Sequence, residues 1–132
     1  MADLFAGLGT FALAAPATYA AEASRDSAAA LKRAAPAMTV EHRDLYRRPL
    51  DQAELERFAA VILDPPRAGA AEQVRQLAGS AVQRVAYVSC NPATFARDAR
   101  TLADGGYGLE WVKPVGQFRW STHVELVACF SR

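Results

Sequence analysis

The stretch "FAAVILDPPRAGA", Phe58 to Ala70, sets the frame for the rest of the chain. Phe58 to Leu63 run without a polar interruption, then Asp64 and two prolines close the run. A short apolar run bounded by turn residues is the signature of a strand buried on both faces, as in a parallel sheet. Pro65 and Pro66 have no amide donors and fixed φ angles, so the backbone leaves the sheet there and Asp64 is held at its edge. "RVAYVSC", Arg84 to Cys90, repeats the apolar run, and Ala70 to Gly79 between the two reads as helix.

The same alternation extends outward. Ala2 to Phe5 is a short first strand, followed by the turn Gly7-Leu8-Gly9 and a short helix around Thr10 to Ala15. "ATYAAE" is a second strand ending at Glu22. Ser24 is a suitable N-cap for a helix through Arg33, stopped before Pro36. "AMTVEH" is a third strand, with a polar loop through Asp44. Thr94 to Asp104 reads as helix and ends at Gly105-Gly106; from Tyr107 on the pattern is strand, loop, strand, with "HVELVACF" last. Strands alternating with helices predict one α/β domain over residues 1–132, a Rossmann-like doubly wound, mostly parallel sheet with helices on both faces. Two closing strands without a helix between them predict one antiparallel strand near the C-terminus, as in methyltransferase-like sheets.

Composition narrows the function classes. The chain has 132 residues, 52% hydrophobic and 22% charged, with a formal net charge of +1. It lacks the broad basic field of a free-standing nucleic-acid binder. Its two cysteines are too few for a disulfide scaffold, and with two histidines they do not take the close pairings of a structural zinc site. No apolar run reaches membrane-spanning length, and the N-terminus lacks a signal-peptide layout. The expectation is a reduced, cytoplasmic protein without a metal centre. The first strand has barely begun before its glycine turn, which predicts a fragment whose earlier part is missing.

Such sheets bind ligands at the carboxyl ends of their strands. The Gly7/Gly9 turn, Glu22, Asp44, Asp64 and Cys90 each follow a predicted strand. Glycines in the turn let a ligand approach the backbone. Glu22 can accept two ribose hydroxyls, and the absence of a full G-x-G-x-x-G favours an adenosine without phosphates over a dinucleotide. Asp44 can accept from an adenine amino group, or be a plain loop aspartate. Amino-group methyltransferases place an aromatic residue after Asp-Pro-Pro; Arg67 stands there instead, suited to a phosphate or a carbonyl. Cys90, at the end of a strand and before Asn91-Pro92, lies beside the presumed cofactor pocket where helix-start amides favour an anion, against the usual reading of a lone cysteine as inert. Cys129, mid-strand, packs. Glu125 opens an apolar strand, so it is either solvated at the rim or held for proton transfer; His123 beside it reads as structural.

"DLFAGLGTFAL", "VILDPPRAGA", "YVSCNPATFARD" and "QFRWSTHVELVACF" together resemble the motifs of the S-adenosylmethionine-dependent RNA uracil-C5 methyltransferases, over nearly the whole chain. The resemblance implies 5-methyluridine formation in tRNA or rRNA. It assigns Cys90 as the nucleophile and Glu125 as the general base. Phe5, Gly7, Gly9, Thr10, Glu22, Asp44 and Asp64 fall on the methyl-donor pocket, and Pro66, Arg67 and Asn91 are the expected substrate contacts. In that chemistry the thiolate adds to carbon 6 of uracil, carbon 5 takes the methyl group, and the carboxylate removes the carbon-5 proton so that the thiol can leave. Gly116 and Arg119 depart from the family's usual Asp and Pro. Upstream RNA-binding and cofactor-covering segments of full-length members are absent from the sequence. Two other readings stand beside this one: a domain that binds the cofactor or a partner without catalysis, and a methyltransferase of exocyclic amino groups that does not need Cys90.

Overall fold

A computed structural model of the chain describes residues 1–116 and 124–132. Among these residues the elements run β1 (Ala2–Leu4), β2 (Tyr19–Glu22), α1 (Arg25–Ala34), β3 (Thr39–His42), α2 (Gln52–Leu55), β4 (Ala60–Leu63), α3 (Ala71–Ala78), β5 (Arg84–Ser89), α4 (Pro92–Asp104), β6 (Gly108–Val115) and β7 (Glu125–Ser131). The strands form one sheet in the order β3-β2-β1-β4-β5-β7-β6. β1 to β5 pair in parallel, and β7 runs antiparallel to both β5 and β6. The expected α/β architecture with a reversed strand near the C-terminus is therefore the architecture found.

The two faces of the sheet are covered unequally. One face contributes Leu4, Tyr19, Ala21, Val61, Leu63, Val85, Tyr87 and Phe130 to the main core, which Val74 and Leu77 of α3 and Phe95 and Leu102 of α4 complete. The other face carries a register row Val40, Ala20, Asp3, Ile62, Ala86, Cys129 and Trp111. There α1 covers only the β2–β3 end, where Leu31 and Met38 pack on Ala20 and Ala12. Ile62 and Ala86 are consequently half-buried, and β4 is sealed on one side rather than on both as its apolar run predicted.

Local signals explain most boundaries. Ser24 caps α1 by accepting from the Ser27 amide at 3.3 Å, as its position predicted. The helix expected around Thr10 to Ala15 does not form; the segment is a series of turns, with mixed Leu13 N–H to Gly9, Ala14 N–H to Phe11 and Ala15 N–H to Phe11 bonds. Six residues between Gly9 and Pro16 are too few to offset the cost of a helical nucleus, and Pro16 pushes its predecessor out of the helical region. Conversely, α2 lies between the polar loop ending at Asp44 and β4, where no element was expected. It is fixed by a capping box in which Asp51 and Glu54 exchange bonds at 2.8 and 3.0 Å. Glu54 also takes both nitrogens of the buried Arg43 guanidinium at 2.6 and 2.7 Å, which holds its carboxyl down at about 2.

Two buried polar groups tie this frame to the strand ends. Gln73 of α3 is fully buried and clasps Leu50, accepting from its N–H at 2.9 Å and donating to its C=O at 3.0 Å. That clasp anchors the loop carrying Asp44 and Tyr46. Asp3, in the middle of the sheet, is also fully buried, and neither carboxylate oxygen has a hydrogen-bond partner among the described residues. Burial pushes its carboxyl up to about 6; the nearby Ala12 amide offsets part of that rise, and the charges of Asp64 and Glu22 add to it.

Two outcomes are expected. Gln73→Ala strands both Leu50 polar groups away from water and lowers stability by about 2–4 kcal/mol, whereas the exposed Gln83→Ala is nearly neutral; urea unfolding compares them. For Asp3 the folded-state pKa lies above the unfolded value, so the native state holds more protons between about pH 4 and 6 and its stability falls as pH rises through that window. Asp3→Asn removes this fall and is the more stable protein at pH 8 by about 1–2 kcal/mol, one pKa unit being worth about 1.4 kcal/mol less what the unpartnered amide costs. Thermal midpoints of both proteins between pH 4 and 8 check it. The stabilisation from Glu54 is present above about 4.5 and lost only as pH falls towards 2, mostly below that window.

Candidate active site

The carboxyl ends of β1 to β5 lie along one edge of the sheet. Because β7 is reversed, its beginning reaches the same edge. Two hollows adjoin there and share Asp64, the residue after β4.

The first hollow, about 280 Å³, is lined by Phe5, Glu22, Ala23, Asp44, Leu45, Tyr46, Asp64, Pro65 and Pro66. Phe5 has φ +65°, an uncommon conformation for a residue other than glycine, and Gly7 and Gly9 continue the turn at +56° and +95°. The turn is held by Glu22: one carboxylate oxygen accepts from the Gly7 amide at 2.8 Å and the other from the Ser24 amide at 2.6 Å. The Phe5 and Tyr46 rings stand 5.5 Å apart at 56°, and the Tyr46 hydroxyl donates to the Gly69 carbonyl at 3.1 Å. Asp44 accepts from the Tyr46 amide at 2.9 Å, which sets the aromatic ring against the prolines. An aromatic and proline-walled slot with carboxylates at its rim suits a flat heteroaromatic ring bearing hydroxyl and amino donors. Beneath the turn lies the carboxylate of Asp3, unpartnered among the described residues, which together with Glu22 and Asp64 favours a cation nearby.

The second hollow, about 400 Å³, is lined by Thr10, Phe11, Asp64, Val88, Cys90, Val115, Glu125 and Val127. Its geometry follows from strand register. Val88 pairs with Val127 and Ser89 with Leu126, where the ladder ends; Cys90 follows β5 directly and Glu125 opens β7. Both residues line this hollow, so a thiol and a carboxylate border one space. Asp64 joins them from β4. Its carboxyl is raised by burial and further by the charge of Glu125, which places both carboxylates in a common field.

The expected residues thus separate into groups. Phe5, Glu22, Asp44, Asp64 and Pro66 meet in the first hollow, and Thr10, Asp64, Cys90 and Glu125 in the second. Gly7 and Gly9 shape the turn between them. Arg67 is exposed, and its carbonyl accepts from Asn91 Nδ2 at 3.0 Å and Thr94 Oγ1 at 3.1 Å. Asn91 Oδ1 in turn accepts from the Ala93 amide at 3.1 Å as the N-cap of α4, so both ends of its amide are engaged within the protein. Arg119 and His123 lie outside the described residues. Tyr46, Leu45, Phe11 and Val115 were not anticipated; an aromatic two positions beyond Asp44, at the end of a strand, was the available signal for the first of these.

The chain is similar to known proteins over nearly its whole length. Residues 24–132 match the family model described as tRNA (uracil-5-)-methyltransferase. An uncharacterized RNA methyltransferase of Zymomonas mobilis is 60% identical over all of this chain and 35% of its own length. The 23S rRNA (uracil(1939)-C(5))-methyltransferase RlmD of Pseudomonas syringae is 42% identical over 97% of this chain and 31% of its own. Among solved structures, the Pyrococcus abyssi tRNA (uracil-54, C5)-methyltransferase in complex with S-adenosyl-L-homocysteine aligns with a TM-score of 0.81 and 28% identity, covering 98% of this chain and 33% of that one. The chain spans about a third of the length of the curated relatives it matches. With a thiol and a carboxylate lining one hollow beside an aromatic and proline-walled slot, and this match over most of its length, the chain belongs to the tRNA (uracil-5-)-methyltransferase family.

Proposed function

We propose that this chain, as one domain over residues 1–132, is the methyl-donor-binding and catalytic part of a cytoplasmic enzyme that methylates carbon 5 of uracil in tRNA or rRNA. The observation that supports the reading is that Cys90 and Glu125, brought to one sheet edge by the antiparallel β5–β7 pairing, line one hollow that shares Asp64 with the aromatic slot. No helix among the described residues is long and apolar enough to cross a membrane.

S-adenosylmethionine is the cofactor whose shape and charge the first hollow fits; when bound it supplies an electrophilic methyl group. Phe5, Tyr46, Pro65 and Pro66 would hold its adenine, Glu22 its ribose and Asp44 its amino group, while Asp3 and Asp64 favour its positive charge. The rest of the chemistry belongs to the chain's own residues. The Cys90 thiolate forms a bond to carbon 6 of the uracil, and the electron pair of the 5,6 double bond moves onto carbon 5 and the adjacent carbonyl. Carbon 5 thereby becomes nucleophilic enough to be methylated. Glu125 then accepts the proton from carbon 5, the double bond re-forms, and the carbon–sulfur bond breaks to return the thiolate. Pro66, Arg67 and Asn91 border the entrance: the first as a wall, the second as a cation for an RNA phosphate, the third by fixing the loop that carries both.

An RNA containing 5-fluorouridine tests this, because fluorine cannot leave as a proton and the covalent adduct should persist. With S-adenosylmethionine present, the parent protein forms an adduct stable in denaturing gels and Cys90→Ala forms none. Glu125→Gln still forms adducts with ordinary uridine but slows their resolution by on the order of 10²- to 10⁴-fold. Retained methyl transfer by Cys90→Ala would instead point to an exocyclic amino group as target; cofactor binding without any adduct would point to a non-catalytic domain. Asp3→Asn weakens cofactor binding about tenfold in calorimetry, opposite in sign to its gain in stability.

A further inference from the structure

The peptide groups following the two prolines are held in an unusual way. The carbonyl of Arg67 accepts from Asn91 and Thr94, and that of Ala68 accepts from Arg97 at 3.0 Å. The carbonyl of Gly69 accepts from Tyr46, and the amide of Ala70 donates to Asp98 at 2.7 Å. Four consecutive residues therefore have a backbone group bonded to a side chain. All but one of these bonds come from Asn91, Thr94, Arg97 and Asp98, which recur along a single face of the start of α4.

Asp98 is the centre of this arrangement. It is 1% exposed, yet its carboxylate is fully satisfied: the Tyr87 hydroxyl donates to it at 2.6 Å, the Ala70 amide at 2.7 Å and Arg97 Nε at 2.8 Å. Tyr87 lies three residues before Cys90 on β5, and Ala70 lies six residues after Asp64. Gly69, at φ +76°, admits the contact; a β-carbon there would stand 2.7 Å from the Asp98 carboxylate. A buried carboxylate meeting several donors is costly to assemble and costly to break. Packing alone would have been served by an apolar residue.

We infer that the start of α4 is a clamp, centred on Asp98 and completed by Thr94 and Asn91, that fixes the position of Cys90 relative to the Asp64–Pro66 wall. Asp98 is a positioning residue: it touches neither hollow, but the segments it joins carry the thiol on one side and the shared carboxylate on the other. The role of that thiol as nucleophile rests on the function proposed above; the clamp itself does not.

Iodoacetamide labelling tests the clamp, with Cys129, half-buried on β7, as the internal reference. Thr94→Val removes one bond to Arg67 without a buried charge, and Asp98→Asn puts an N–H where only acceptors fit. Well below the melting temperature, the ratio of Cys90 to Cys129 labelling should rise about fivefold in Thr94→Val and further in Asp98→Asn. An unchanged ratio in folded variants, whatever happens to their thermal midpoints, overturns the proposal, since loss of global stability alone would not single out one thiol. If circular dichroism finds Asp98→Asn unfolded, Thr94→Val decides. In a second arm, adduct formation with 5-fluorouridine RNA should slow at least about tenfold in the variants at an unchanged half-saturating RNA concentration. A parent protein that forms no adduct overturns the catalytic reading, while the labelling ratio still decides the clamp.

Discussion

The antiparallel pairing of β7 with β5 is the constraint on which the candidate site depends. In a sheet whose strands all run one way, every residue at the ligand-binding edge must come from the end of a strand, where the chain turns into a loop. Reversing one strand brings the beginning of β7 to that edge, and its ladder with β5 fixes the register to a single residue. A one-residue slip would turn Glu125 to the opposite face, away from Cys90. The pairing thus brings the residue after β5 and the residue opening β7 to the lining of one hollow.

Around that pair, negative charge accumulates. The charges of Glu22 and Asp64 act on Asp3 and that of Glu125 on Asp64, and burial raises the carboxyls of both Asp3 and Asp64. Glu22 is held by two amides, but Asp3 has no such support among the described residues. A fold selected for stability alone would not retain such an acid in an interior strand of its sheet. The arrangement is understandable as a site that is completed by a cation, with stability given up in the empty protein for binding strength in the loaded one.

Much of this was legible in the sequence because it depends on short-range rules. Apolar runs located β4 and β5, Ser24 marked the start of α1, and Glu22, Asp64 and Cys90 followed from their places at strand ends. Glu125 was ambiguous between solvent and site, since only the register of a distant strand could place it. The segment after Gly9 looked helical in composition, but its length ruled the helix out. Asp51 and Glu54 did carry a recognisable start signal for α2, overlooked because the helix is a single turn. Asp98 was invisible for another reason. An acid on an amphipathic helix looks like surface, and only the packing of α4 against the loop beyond Pro66 turns it inward.

The bonding of the Arg67–Ala70 backbone also bears on how this architecture can change over evolutionary time. An insertion between Pro66 and Ala71 would shift several bonded peptide groups out of reach at once, so the length of that connection is effectively frozen. The turns between Gly9 and Pro16 hold themselves by bonds among near neighbours and can gain or lose residues at far smaller cost. Change in length therefore costs least at these turns, which contribute Thr10 and Phe11 to the wall of the second hollow.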